Sequence, residues 1–256
     1  MKYRIFTLLS LFCAVAGMTQ ASYAEQDESA MAAAVKVAMS SDARDADEKD
    51  RDANRKPVET LDFFGITPQM KVLELIPGGG WYTKLLAPAL REEGEFHVSL
   101  FARRVEELVK EPGFDKITIV ETSEVEVVDG NLPRLRTINE FTFNESDYDA
   151  VLTFRNMHNF DDVGRMNVND AVFLALKSGG IYGVVDHTRR HNEVHTDDNR
   201  RRADPVTIIK EVQAAGFEFV DYSDLHFRST DDLTQEVGVD GVSGNTDRFT
   251  FLFRKP

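Results

Sequence analysis

The chain has 256 residues, 42% of them hydrophobic and 29% charged, with a formal net charge of −14 at pH 7. An acidic surface of this kind repels nucleic acid and anionic lipid, which argues against both as partners. Cys13 is the single cysteine, so no disulfide framework and no thiolate chemistry are expected of the folded domain.

Residues 1–24 read as a leader and not as part of the fold. Lys2 and Arg4 open the chain, Ile5 to Met18 is apolar and too short for a membrane span, and Ser22-Tyr23-Ala24 places small residues where a signal peptidase reads. Cleavage after Ala24 is expected, with delivery to the periplasm or the medium. It would lower the formal charge from −14 to −16, because residues 1–24 hold two basic residues and no acid. Phe12 before Cys13 does not fit a lipoprotein box, so no lipid anchor is expected. About 230 residues remain, enough for one α/β domain.

Residues 25–56 are Ala-rich and then densely charged with alternating signs, which reads as a helical or loose surface leader. The domain is expected over residues 57–256. Val58, Leu61, Phe63 and Phe64 suggest a core helix ended by Gly65. Met70 to Ile76 has the apolar character of a central parallel strand. Gly78, Gly79 and Gly80 follow as a turn, and Lys84-Leu85-Leu86 opens a helix that Pro88 is expected to end or kink. Strands are expected over 95–101 and 116–121, with a short helix over 103–110 between them and Val125 to Val128 as an extension or a separate strand. Residues 129–148 read as loop.

Tyr148 to Phe154 is the next strong strand and runs into Arg155-Asn156-Met157-His158-Asn159. Val168 to Leu176 has helical periodicity, Lys177 to Gly180 reads as its cap, and Ile181 to Asp186 is a buried strand. A polar segment, His187 to Ala203, carries His187, His191 and His195 together with Arg189, Arg190, Arg200, Arg201 and Arg202. Asp204-Pro205 starts a helix with Val206, Ile209, Val212 and Ala215 as its inner face. Strands over 217–222 and 248–253 close the chain. Strands alternating with helices predict a doubly wound, mostly parallel, seven-stranded Rossmann-like α/β sheet with an antiparallel last strand. Ligands of such sheets sit beyond the strand carboxyl ends, which gathers Gly78 to Gly80, Arg155 to Asn159 and Asp186-His187 at one cleft.

Glu74, Gly78 and Gly80 follow the acid-and-glycine pattern of the first motif of class I S-adenosylmethionine methyltransferases, with Ile76 where that family has its first glycine. Tyr148 to Asn159, Leu174 to Ile181 and the C-terminal strand pair resemble later motifs of the same family. The stretches Glu74 to Thr83, Thr153 to Asn159 and Asp247-Arg248-Phe249 resemble a group of exported proteins described as predicted methyltransferases. The resemblance implies that Glu74, Gly78, Gly79 and Gly80 contact S-adenosylmethionine, with Asp129 on the adenine side. It also implies that Arg155, Asn156 and His158 face a small-molecule acceptor. His158 reads either as a base or as a structural histidine at a strand end. Arg155 reads either as a clamp for a carboxylate or phosphate or as an ordinary ion pair. Trp81 and Tyr82 either pack under the helix start or cover an aromatic or sulfonium group. The family's ribose-binding acid after the second strand is missing: the strand ends Ser99-Leu100-Phe101-Ala102, and Glu106 lies too far along. The alternative function is an exported, non-catalytic binding protein that retains the fold. The three histidines at fourfold spacing are read as a polar loop over the cleft, and no metal is expected there.

Overall fold

The computed structural model describes residues 29–132 and 134–256; the leader expected over residues 1–24 lies outside them. In chain order the helices are α1 (Ala30–Met39), α2 (Ala46–Asp50), α3 (Asp52–Arg55), α4 (Pro57–Phe63), α5 (Thr83–Leu90), α6 (Asp162–Ala175) and α7 (Pro205–Ala214). The strands are β1 (Lys71–Leu75), β2 (Glu95–Ser99), β3 (Thr118–Ile119), β4 (Val127–Asp129), β5 (Arg136–Ile138), β6 (Tyr148–Phe154), β7 (Leu176–His187), β8 (Glu218–Ser223) and β9 (Arg248–Arg254). Seven of them form one sheet in the order β3-β2-β1-β6-β7-β9-β8. Neighbours pair parallel except where β9 runs antiparallel to both β7 and β8. The doubly wound sheet with its antiparallel last strand is therefore present as the sequence suggests. No helix among the described residues is long and apolar enough to cross a membrane.

The period of two in β1 explains why the sheet is covered on both sides. Leu73 and Leu75 join a core with α6 and α7, through Val168, Val172, Ile208 and Val212. Val72 joins the opposite core with α1, α4 and α5, through Val35, Leu61, Leu85 and Leu86. Each fully buried Leu or Val of this kind stabilises the fold by roughly 1.5–3 kcal/mol. The expected core helix before the first strand is α4. Gly65 follows it at φ +67, and Gly65 N–H and Ile66 N–H return to the carbonyls of Asp62 and Leu61.

Several elements differ from the sequence reading. Pro88 lies inside α5, which runs two residues past it to Leu90 before ending. The expected helix over 103–110 is two short 3-10 turns, Ala102–Arg104 and Leu108–Lys110. Residues 127–129 do not extend β3 but pair antiparallel with residues 136–138, inside the stretch read as loop. Helix α6 starts six residues earlier than its apolar stripe, because Asp161 caps it through Gly164 N–H. Lys177 to Gly180 belong to β7 and not to a helix cap, with Gly179 at φ +78. On α7 the buried residues are Ile208 and Val212; Val206 is exposed, so the inner face is rotated from the predicted stripe.

The segment before α4 shapes the cleft. Met31, Val35 and Ala38 of α1 are buried in the core that α4 and α5 share. Helix α2 begins with a capping box between Asp45 and Glu48. Helix α3 is followed by Lys56 in the left-handed conformation, and its last residue, Arg55, is buried.

Candidate functional site

Three parallel strands end at the same edge of the sheet, and each end carries a non-glycine residue in the left-handed region just beyond the strand. Ile76 follows β1 at φ +51, Leu100 and Phe101 follow β2 at +60 and +54, and Arg155 follows β6 at +65. For a β-branched residue such as Ile76 this conformation is strained by roughly 1–3 kcal/mol, and such strain concentrates at functional sites. The position that the resembling family fills with glycine thus keeps the glycine conformation here. Hydrogen bonds hold it: Ile76 N–H donates to Ser99 O at 2.9 Å, and Arg155 N–H donates to Val185 O at 2.7 Å.

These ends open onto a cavity of about 440 Å³. Its wall includes Glu74, Ile76, Gly78 and Gly79 from the first strand and turn, and Phe154, Arg155, Asn156 and His158 from β6 and its continuation. His187 at the end of β7 also lines it, as do Glu48, Arg51 and Arg55 from the N-terminal helices and Gly238 and Gly244 from the loop before β9. The structure therefore brings together Glu74, Gly78, Gly79, Arg155, Asn156 and His158 from the expected set. Gly80 is not on the wall: at φ +83 it closes the turn, and a Cβ there would meet Leu108 at 3.3 Å and Thr83 at 3.6 Å. Asp129 is placed elsewhere, on the exposed β4–β5 hairpin, paired with Arg136.

Asn156 is tied to the backbone and does not reach outward through its amide nitrogen. It donates to Leu75 O at 3.1 Å, Ile76 O at 3.4 Å and Thr153 Oγ1 at 3.1 Å, stitching the ends of β1 and β6. His158 is oriented by Asp186, whose side chain is fully buried. The ring's Nδ1–H donates to Asp186 Oδ1 at 2.5 Å, and the backbone N–H of His158 donates to Oδ2 at 3.0 Å. This fixes the tautomer and leaves Nε2 as the basic nitrogen. The His158 reading as a base and the reading as a bonded histidine thus meet in one arrangement. His187, 5.6 Å away ring to ring, bonds Thr246 Oγ1 through Nδ1 at 2.9 Å. Burial, and then the charges of His158, Arg155, Arg248 and Arg202, push His187 well below the usual histidine range, so it stays neutral.

The three regularly spaced histidines do not converge. His187 faces Thr246, His191 Nδ1 meets Asp204 at 3.0 Å, and His195 Nδ1 lies 3.3 Å from Arg189. Their segment is not helical, so fourfold spacing does not place them on one face. No group of three or more metal-capable side chains occurs among the described residues.

Glu74 is 3% exposed and accepts a hydrogen bond from Thr83 Oγ1 at 2.6 Å. Burial raises its carboxyl from 4.5 to about 7, against the lowering effects of Thr83 and Arg55. A raised acid favours the fold while protonated. Its contribution is present below pH 4.5 and is lost as pH rises towards about 7, amounting to about 3 kcal/mol across that window. Urea titrations of wild type and Glu74→Gln at pH 4.5 and 8 should therefore show the variant gaining stability relative to wild type at the higher pH. A constant difference would show that Glu74 is ionised at the same pH in both states.

The charged run before α4 gave no sign in the sequence that it forms a wall of the cleft. Trp81 Nε1–H donates to Glu48 O at 2.9 Å, and its ring carries Arg55 at 4.3 Å and Arg44 at 5.0 Å. Tyr82 stacks on Phe154 with ring centroids 3.5 Å apart. The carbonyl of Arg55 accepts from Tyr82 Oη at 3.3 Å, Thr60 Oγ1 at 3.2 Å and His226 Nε2 at 3.0 Å. Both aromatics thus pack and also line the cavity. His226 is another residue the sequence did not single out; burial lowers it to about 4, and its Nδ1 bonds Thr250 Oγ1 at 2.7 Å.

The strand order, the parallel pairing with antiparallel β9 and the glycine turn after β1 together define the fold of the class I methyltransferases. A SAM-dependent methyltransferase from Aquifex aeolicus has this fold, with a TM-score of 0.55 at 13% identity over 87% of this chain and 97% of that one. The [4+2]-cyclase SpnF has it too, with a TM-score of 0.53 at 16% identity over 79% of this chain and 80% of that one. In sequence the chain is similar to the uncharacterized methyltransferase sll0829 of Synechocystis sp., 31% identical over 132 residues. That match covers 52% of this chain and 54% of the relative, so the chain spans about half the length of the curated protein it matches. No protein-family model matches the chain.

Proposed function

We propose that the protein is an S-adenosylmethionine-dependent methyltransferase acting on a small molecule outside the cytoplasm. The observation that carries the reading is the open cradle at Gly78 and Gly79: a Cβ on either would meet nothing within 4 Å, and both line the cavity beside the buried Glu74 carboxyl. Backbone at such a turn approaches a ligand closely, and the start of α5 adds the positive end of a helix. The similarity to a named methyltransferase and the shared fold support the same reading. Because SpnF is a cyclase on this fold, the fold by itself does not carry the activity.

The donor supplies an electrophilic methyl group when bound. Glu74, Gly78 and Gly79 would hold its amino-acid end. The ribose end is less well provided for. Ser99 Oγ donates to Val120 O at 2.7 Å, Leu100 and Phe101 carry no acid, and Phe101 is 50% exposed. None of these residues lines the cavity. Each charge-assisted bond absent from the ribose costs roughly 1.5–3 kcal/mol, which places donor affinity on the order of 0.1 mM or weaker. His158, held by Asp186, removes a proton from the acceptor while the cavity walls keep the reacting groups in line. Titration with S-adenosylhomocysteine tests the donor site.

The export part of the proposal rests on Lys2, Arg4, the apolar run and Ser22-Tyr23-Ala24. Protein purified from the cell envelope should have an intact mass that begins at Glu25. A chain in the cytoplasm that still begins at Met1 would overturn it.

A further inference from the structure

Three arginines on the cavity wall have no acidic partner. The guanidinium groups of Arg51, Arg55 and Arg155 make no salt bridge or hydrogen bond to protein among the described residues. Arg55 is 9% exposed, and its Nε and Nη1 are buried without a partner; Nε of Arg51 is in the same condition. Arg55 touches the face of Trp81, but that contact leaves its N–H donors unused. The other charges on the wall are already engaged. Arg201 pairs with Glu236, Glu48 pairs with Lys84 at 2.8 Å, and Glu74 is held by Thr83. Asp186, behind the wall, is taken up by His158.

The arrangement is built and not incidental. Three side-chain donors fix the Arg55 carbonyl, and the left-handed backbone at residue 155 turns Arg155 to the cavity. Arg248 adds positive charge behind it, bonded to Asn54. Burial and mutual repulsion lower Arg55 to about 9 and Arg248 to about 10. A chain with a net charge of −14 has acids to spare, yet among the described residues none lies within ion-pair distance of these three groups, although Glu74 and Asp186 act on Arg55 and Arg155 from further off. Unpaired guanidinium groups in a buried site are costly until a ligand supplies the counter-charge.

We infer that the cavity binds a small molecule carrying at least two anionic groups, carboxylates or phosphates, through Arg51, Arg55 and Arg155. Its assignment as the methyl acceptor rests on the methyltransferase reading. An S-adenosyl donor brings one carboxylate against an ammonium and a sulfonium, so it adds net positive charge to the site. The acceptor must then carry the negative charge that the arginines lack. Guanidinium matches both carboxylate and phosphate geometry in bidentate pairs, so the two anion types share the same recognition.

The test uses chain 25–256 and two probes, citrate and pyrophosphate, titrated calorimetrically with S-adenosylhomocysteine as a separate titrant. Wild type should bind one probe per chain, and the tighter probe assigns carboxylate or phosphate. Arg51→Gln and Arg155→Gln should each weaken that probe by about tenfold or more while leaving S-adenosylhomocysteine within about twofold, with circular dichroism confirming the fold. Arg254→Gln, at the end of β9 away from the cavity and paired there with Glu218, should change neither. The inference is overturned if neither probe binds wild type at millimolar concentration, or if the variants bind it as wild type does. It is overturned also if the variants lose S-adenosylhomocysteine equally, because the arginines would then hold the donor's own carboxylate. Arginine-dependent probe binding without any binding of S-adenosylhomocysteine would uphold the anion site and remove only the methyl-donor reading.

Discussion

Replacing His158 by glutamine is expected to lower the rate of methyl transfer by about 10²–10⁴-fold while leaving donor affinity unchanged. The basis is the pair it forms with Asp186. Two bonds to the carboxylate, at 2.5 and 3.0 Å, fix the ring and place its proton on Nδ1. Glutamine fills similar space but has no basic nitrogen. Asp186→Asn should act in the same direction for a different reason: the amide can donate to Nδ1, which favours a proton on Nε2 and removes the base. Asp186 also accepts from the backbone N–H of His187 at 2.7 Å, so this variant should be compared with wild type for thermal stability. Single-turnover rates across pH 5–9 separate loss of a base from a folding defect, because only the former flattens the pH profile. Unchanged rates in both variants would leave proton removal to another group.

Gly79→Leu is expected to weaken donor binding at least tenfold without unfolding the protein. Gly79 lines the cavity, its φ is outside the left-handed region, and an added Cβ meets nothing within 4 Å. A leucine there would project into the space where a ligand approaches the turn. An affinity loss of at least tenfold, about 1.4 kcal/mol, is expected with an unchanged melting transition. Gly80→Val is a poorer probe of the same turn. Its φ of +83 and the 3.3 Å approach to Leu108 make it a test of stability first. Full affinity in a folded Gly79→Leu protein would move the ligand away from this turn.

What the sequence revealed and what it concealed have separable causes. The sheet was legible because β1, β6 and the second half of β7 from Ile181 to Val185 are mostly apolar and buried, as strands covered on both faces must be. The turn at Gly78 and Gly79 and the continuation of β6 through Arg155 to His158 were legible for a topological reason. Parallel strands deliver their ends to one edge, so residues just after them must meet. Asp129 was misplaced because a two-stranded hairpin, β4–β5, lay in a stretch without strong alternation. The contribution of Arg51 and Arg55 was hidden because a run of alternating charges has the composition of a solvated helix. What brings Arg55 inward is tertiary: Tyr82 and His226 bond its carbonyl across 27 and 171 residues. Trp81, adjacent to the glycine turn, was the available clue, since a buried indole N–H needs an acceptor and finds it at Glu48.

Whether the turn after β1 binds an S-adenosyl donor is decided by isothermal titration of chain 25–256 with S-adenosylhomocysteine. Saturable one-site binding is expected with Kd on the order of 0.1 mM, weak because β2 ends in no acid. Absence of binding up to about 5 mM, where such a site would be almost filled, would contradict it.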